Sequence, residues 1–176
     1  LSTGPGCRHL FFTASAQPTA DPYLRFWLTF LGPYLPKIER GRGDLTLARL
    51  RTSWTSWRGR AIEPVVRESL RRLPAGHLPA DTGVVGGYWT RTNDPEIDLV
   101  GADRGPVARR ITVVGSVKWL ENRPFDGHDL GRLTLHRPRL PGADEQVPLL
   151  AVTRAGAVVD GVRVLTPEDL LTAWGD

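Results

Sequence analysis

Pro95-Glu96-Ile97-Asp98-Leu99-Val100, followed by Val114-Gly115-Ser116-Val117-Lys118-Trp119, is the pair of segments on which the fold turns. Both are short and aliphatic. Asn93-Asp94-Pro95 opens the first, and Asp103-Arg104-Gly105-Pro106 lies between the two. Apolar runs bounded by such turn chemistry predict strands. Alternate side chains of a strand share a face, so Glu96, Asp98 and Val100 are expected on one side and Ile97 and Leu99 on the other. By the same alternation Thr112, Val114, Ser116 and Lys118 go together. Two polar side chains therefore close an otherwise apolar strand.

Working outward, residues 84–90, 95–101 and 111–119 predict three consecutive strands. A helix is expected within 125–136, then strands over 148–153 and 158–164. Thr166 is placed to cap a last helix that starts Pro167-Glu168-Asp169. Upstream, Asp21-Pro22 has the chemistry of a helix start, and Tyr23, Phe26, Trp27 and Phe30 follow at helical spacing. Gly32, Pro33 and Pro36 end that pattern, and Gly41-Arg42-Gly43 forms a second break. Two further helices are expected, near 45–57 and over 60–73, with Pro64 in an early turn or at a bend. Trp54 and Trp57 are expected to pack this lead-in against the main domain. Leu10, Phe11 and Phe12 suggest a short strand in an otherwise loop-like start. The expected division is an N-terminal loop and helical extension over 1–57 and a sheet-bearing domain over 58–176, in the α/β class.

Composition narrows the setting. A chain of 176 residues with 40% hydrophobic and 24% charged side chains suits one globular domain with an appendage. No apolar run approaches the roughly 18 residues that a membrane span needs, and no secretion signal is recognisable. Cys7 is the single cysteine, so neither an internal disulfide nor a cysteine zinc cluster is available, and a cytoplasmic location is the default expectation. The chain opens on Leu1 rather than methionine, which suggests a fragment or processed product. Lys and Arg total 23 against 19 Asp and Glu, a net charge of +4 that is compatible with a polyanionic partner without requiring one.

The chemistry concentrates at one sheet edge. If the two strands splay near Asp98 and Ser116, Asp98 and Lys118 converge there, and Glu63 on the preceding helix can complete the rim. Magnesium favours carboxylate and water oxygens, a metal-bound water attacks phosphorus more readily than bulk water, and an ammonium group stabilises the developing negative charge. Lys118 is one of only two lysines in this arginine-dominated chain, the other being Lys37. That rarity favours a need for a compact ammonium charge.

The two quoted segments resemble the Glu-Ile-Asp, then Gly-Glu-Cys-Lys-Trp, pattern of the DUF234 domain found at the C-terminus of DEXX-box archaeal-type ATPases, within the PD-(D/E)XK restriction-endonuclease-like superfamily. Asp21-Pro22-Tyr23-Leu24-Arg25-Phe26-Trp27 resembles that family's opening motif. Gly59 through Glu63 and Gly86-Gly87-Tyr88-Trp89 add to the likeness, which runs from about Asp21 to the C-terminus. The resemblance implies an αβββαβ core with a mixed central sheet and a helical lead-in. It further implies that Glu63 is the helix carboxylate, Asp98 the central metal-binding acid and Lys118 the active-site lysine, with Asp98 and Glu63 as ligands of a magnesium ion if the chain is active. The second strand carboxylate of the pattern falls at Ser116, whose neutral hydroxyl is a weaker partner for magnesium. Glu96 and Glu121 are the acids available to replace it.

Each of these residues has a plainer reading. Glu63 can cap or pair with an arginine, Asp98 can organise a turn, Lys118 can be a solvated strand end, and Ser116 can be a small residue at a packed position. His9, His77, His128 and His136 are too dispersed to predict a zinc site. Arginines at 49, 51, 58, 60, 67, 71 and 72 can form a basic stripe, with Arg58, Arg60, Arg67 and Arg71 as candidate nucleic-acid contacts, or a solvated or protein-facing surface. Two functions follow. One is a nuclease-like nucleic-acid-binding domain, DNA-directed by resemblance, whose magnesium-dependent phosphodiester hydrolysis stands or falls with Ser116. The other is a non-catalytic regulatory or assembly domain of a DEXX-box ATPase. The chain itself has no Gly-Lys-Ser/Thr phosphate loop and hence no ATP-binding motif. An apolar contact patch on the first helices and a site without clustered carboxylates would favour the second function.

Overall fold

The computed structural model describes residues 21–92 and 94–175. The suggested strand at Leu10, Phe11 and Phe12, along with Cys7 and His9, lies outside them. Five strands form one sheet in the order β1 (Val84–Trp89), β2 (Glu96–Ala102), β3 (Ile111–Lys118), β4 (Leu149–Thr153) and β5 (Arg163–Leu165). The first three pair antiparallel as a meander, whereas β3–β4 and β4–β5 pair parallel. Between β3 and β4 the chain passes through α4 (Gly127–His136), as a parallel neighbour requires a crossover. The expected mixed sheet with an N-terminal helical extension is the fold observed.

Every residue of β4 is buried, and its side chains divide by alternation. Leu149 and Ala151 join a core with Leu133 of α4, while Leu150 and Val152 join one with Val66 and Leu70 of the long helix α3 (Gly43–Arg72). A strand covered on both faces is apolar at every position. The short helix α5 (Pro167–Leu171) adds Leu170 to the α3 side. Thr166 caps it as expected, in a reciprocal capping box with Asp169. Beyond it Trp174 Nε1 donates to Ser69 Oγ at 2.8 Å, and the Arg72 guanidinium lies 4.0 Å above the indole, which fastens the C-terminus to α3.

Two sequence expectations need correction. The helices near 45–57 and 60–73 are one 30-residue helix, and Pro64 lies deep within it rather than in an early turn. Proline there forfeits a hydrogen bond, but both halves of α3 are anchored by packing. Ala61, Val66 and Leu70 are buried, and Trp54 and Trp57 meet the lead-in. Residues 57 and 58, where the sequence divides the lead-in from the sheet-bearing domain, sit within this helix. The second correction is the last strand, which occupies Arg163–Leu165 instead of 158–164. Gly161 at φ 81° turns the chain inside that run, and Val158 is left exposed.

The lead-in comprises α1 (Pro22–Phe26), a π-helical turn over Trp27–Leu31, a 3-10 turn and α2 (Leu35–Glu39). Asp21 Oδ1 accepts from the amides of Tyr23 and Leu24, the cap its sequence anticipates. Trp57 stacks on Trp54 at 5.3 Å between centroids and meets Phe26 and Phe30 edge-on at 5.7 and 5.6 Å. These aromatic contacts join the lead-in to the first part of α3, all within residues 1–57, where the sequence predicts packing against the sheet-bearing domain. No helix of the described residues is long and apolar enough to cross a membrane.

Gly115 of β3 sits between Leu99 of β2 and Leu150 of β4. A Cβ there would lie 2.8 Å from the Leu150 carbonyl oxygen and 3.2 Å from Leu99 Cβ. Gly115→Ala is therefore expected to lower stability by about 1–3 kcal/mol through overpacking. Urea denaturation would read this, and an unshifted midpoint would count against the tight approach of the three strands.

Candidate functional site

The site begins with one extra residue in β2. Gly86 pairs with Val100 and Tyr88 with Ile97, so Asp98 and Leu99 together face the single residue Gly87. This β-bulge resets the alternation. Ile97 and Val100 both enter the core under α4, while Leu99 alone points to the α3 side. The expectation that Glu96, Asp98 and Val100 share a face with strict alternation is therefore corrected by the bulge.

Gly87 has a steric reason. A Cβ would stand 2.9 Å from Arg67 Nη2 and 3.2 Å from the Asp98 carbonyl oxygen. Its absence lets Arg67 cross the strand, where Nε donates to Asp98 O at 2.9 Å and Nη2 donates to Glu63 Oε2 at 2.8 Å. The side chains of Arg67 and Glu63 are 12% and 26% exposed, so this pair is shielded from solvent. Burial, then the neighbouring Asp98 charge and more weakly Glu96, push the Glu63 carboxyl up to about 7 against the opposing pull of Arg67.

On the other side of Asp98 the paired register of β2 and β3 begins only at Leu99 and Gly115. The expected splay is present, and the Asp98 carboxylate fills it. Oδ2 accepts from Ser116 Oγ at 2.9 Å and from the Val117 amide at 2.8 Å. Ser116 thus serves as a donor that ties Asp98 down, at the position where the family pattern would place an acceptor. A hydroxyl here suits a neighbouring carboxylate, whereas a second carboxylate would repel it unless a cation intervened.

Lys118 makes its close contact with a residue that the sequence reading missed. Its Nζ lies 2.6 Å from Oδ1 of Asp129 in α4, at ion-pair distance although the angles fall short of a hydrogen bond. The Asp129 side chain is 1% exposed, and Arg123 Nη2 approaches its other oxygen at 3.5 Å. Asp126 caps α4 by accepting from the amides of His128 and Asp129, which sets Asp129 in the first turn facing the sheet. An acid in a first helical turn is ordinarily explained by the helix dipole. Nothing in the local pattern marks this one as the partner of a distant lysine.

Two neighbouring cavities meet at Asp98. One of about 240 Å³ is lined by Asp98, Ser116, Lys118, Asp129, Arg132 and His136, and the other, of about 200 Å³, by Glu63, Arg67, Tyr88 and Trp89. Glu96, Ile97 and Asp98 line both. Asp98 and Lys118 therefore face a common space, with Glu63 in the adjoining one. Glu121, the other candidate replacement acid, is held between Arg58 and Arg154 at 2.7 and 2.8 Å. Of the four candidate phosphate-binding arginines, Arg58 pairs with Glu121 and Arg67 with Glu63. Arg71 pairs with Glu68 and donates to Val85 O, while Arg60 is exposed on a different surface. Among the described residues no group of three or more His, Cys, Asp or Glu side chains is placed to hold a metal ion.

The raised Glu63 carboxyl has a definite sign. The folded chain holds this proton more tightly than the ordinary value of 4.5 allows. Its contribution to stability is therefore present at low pH and lost as pH rises through about 7. Glu63→Gln keeps an acceptor for Arg67 and removes the charge. It is expected to exceed the unmodified chain in stability by on the order of 1–3 kcal/mol near pH 8, with no difference at or below about pH 4.5. Urea denaturation across that range checks it, and a pH-independent difference would contradict the assignment.

No curated protein and no solved structure matches the chain. One family is matched: DUF234, described as archaeal and bacterial proteins of unknown function, over residues 27–128. That span runs from the lead-in to the start of α4 and takes in Glu63, the bulge at Asp98, Ser116 and Lys118. More than half of the chain is covered, including the whole antiparallel meander and the edge at which its polar groups meet, and the chain accordingly belongs to the DUF234 family.

Proposed function

We propose that this chain is a non-catalytic regulatory or assembly domain that works with a DEXX-box ATPase, built on a nuclease-like scaffold whose acid and lysine edge serves as a structural polar network. The observation that carries the reading is the commitment of each group. Asp98 Oδ2 is filled by Ser116 and Val117, Lys118 is drawn to Asp129, and Glu63 is paired with Arg67. The lead-in also exposes apolar side chains. Tyr23, Leu24 and Leu28 do so on its first turns, and Leu45 and Leu47 at the start of α3. This is the kind of surface a protein partner covers. The ATPase as partner rests on the family resemblance of the motifs.

The competing function is magnesium-dependent cleavage of DNA. Magnesium asks for near-octahedral oxygen ligation, and this donor set does not fit it. Ser116 offers a neutral hydroxyl in place of a carboxylate, and a guanidinium shares the Glu63 cavity. No hydrolytic step is assigned to these residues.

A structural role and a catalytic role for Asp98 predict opposite stability effects. Asp98→Ala strands the Val117 amide and the Ser116 hydroxyl, and Asp129→Ala strands Lys118. Each is expected to lose about 2–4 kcal/mol in urea denaturation. Catalytic acids more often exchange stability for activity, so their removal tends to be neutral or stabilising. In parallel, labelled single- and double-stranded DNA with magnesium or manganese is expected to remain intact with the unmodified chain, Asp98→Ala and Lys118→Ala alike. Metal-dependent cleavage by the unmodified chain, abolished in both variants, would overturn the proposal. So would unaltered ATP turnover, together with no co-elution, when the chain is added to an archaeal-type DEXX-box ATPase module.

A further inference from the structure

A second surface, remote in sequence from β2 and β3, carries a different pattern of charge. Between the lead-in and the first half of α3 runs an open groove of about 690 Å³, lined among others by Arg25, Arg49, Ser53, Ser56, Trp57 and Arg60. Residues 49, 53, 56 and 60 recur at helical spacing and so fall on one face of α3, which spans roughly 16 Å at 1.5 Å per residue. Arg25 stands across from them on α1.

The charges here are uncompensated. Among the described residues none of Arg25, Arg49 and Arg60 takes part in an ion pair, in contrast to Arg58, Arg67, Arg71 and Arg72 on the same helix. Residues 1–20, 22–38 and 45–62 contain no acid, and among the acids at their edges Asp21 caps α1, Asp44 pairs with Arg42 and Glu63 pairs with Arg67. Tyr34 gathers one further cation, Lys37 Nζ at 5.4 Å from its ring centre, beside the Arg49 guanidinium at 5.1 Å. Holding like charges together without acids is unfavourable for the free protein, and a polyanion relieves it.

We infer that this groove binds the sugar–phosphate backbone of single-stranded nucleic acid. The charged lining consists of guanidinium groups, which are donors only, set among the Thr29, Thr52, Ser53 and Ser56 hydroxyls, which donate or accept; phosphodiester oxygens are acceptors only. An acidic peptide would bring backbone N–H groups for which the lining offers hydroxyl acceptors but no carboxylate, so the charge complementarity lies with the anion alone. A positively charged groove that tracks the backbone is the electrostatic part of a single-strand site. Trp57 is engaged with Phe26, Phe30 and Trp54, so base stacking on it is limited and recognition is of the backbone, independent of sequence. The inference goes beyond the assembly function and needs no ATPase for its test.

Fluorescence anisotropy of the full chain with a labelled single-stranded oligonucleotide provides that test. Arg25→Glu, Arg49→Glu and Arg60→Glu are each expected to weaken binding about tenfold and to reduce the slope of log affinity against log salt by about 0.7. Arg51→Glu, an exposed arginine outside the groove with the same change of charge, serves as the control and is expected to lose much less. Circular dichroism establishes that each variant is folded. Binding that is absent, equally weakened by Arg51→Glu, or tighter for a duplex of the same length would overturn the inference. Displacement of the oligonucleotide by poly-glutamate at equal charge would overturn it in favour of an acidic protein partner.

Discussion

The Asp98 carboxylate lies in the gap where β2 and β3 have stopped pairing, and the arrangement of this edge follows from that position. Its Oδ2 replaces the missing ladder partner of the Val117 amide. The bulge that places it there also turns its carbonyl toward Arg67, which draws Glu63 and the middle of α3 onto the sheet. One inserted residue thus reorients a side chain, a carbonyl and a helix contact together. The bare Cα of Gly87 is the steric condition for all three.

The Ser116 hydroxyl sets the electrostatics of this edge through its hydrogen bond to Asp98. Two carboxylates in one small space repel and call for a cation, whereas a hydroxyl beside Asp98 settles the charge by hydrogen bonding. Lys118 then has no dense anionic centre to face on β3, and the buried Asp129 holds it toward α4. Glu63 retains part of the unfavourable arrangement, since its carboxyl is still raised by burial and by Asp98. On the proposed reading, the scaffold persists as a rigid polar seam between the two helical layers.

The long helix α3 divides the molecule's basic charge in two. The stretch 63–72 directs Arg67 and Arg71 to strand carbonyls and pairs its arginines with Glu63 and Glu68. Those guanidinium groups are part of the fold. The stretch 45–62 of the same helix has no acid, and its arginines meet the aromatic lead-in, solvent or more distant groups such as Glu121. Counting arginines along the helix cannot separate these roles. The separation depends on which turn of the helix lies over a sheet.

The α/β class, the order of the strands and the capping residues Asp21 and Thr166 were legible in the sequence. Each depends on local chemistry or on the period of apolar residues. The meeting of Asp98 and Lys118 at one cavity was also foreseeable, because both lie near a predicted splay. What the linear pattern could not show was the continuity of α3 through Pro64, the bulge at Asp98, the donation from Ser116 and the pairing of Lys118 with Asp129. A helix is kept whole by packing at both ends, and a bulge is visible only in the register between two strands. An ion pair between β3 and α4 depends on how a crossover folds back over a sheet. Local spacing determined the elements and the residue types at the edge; only the tertiary structure decided which charges were already spoken for.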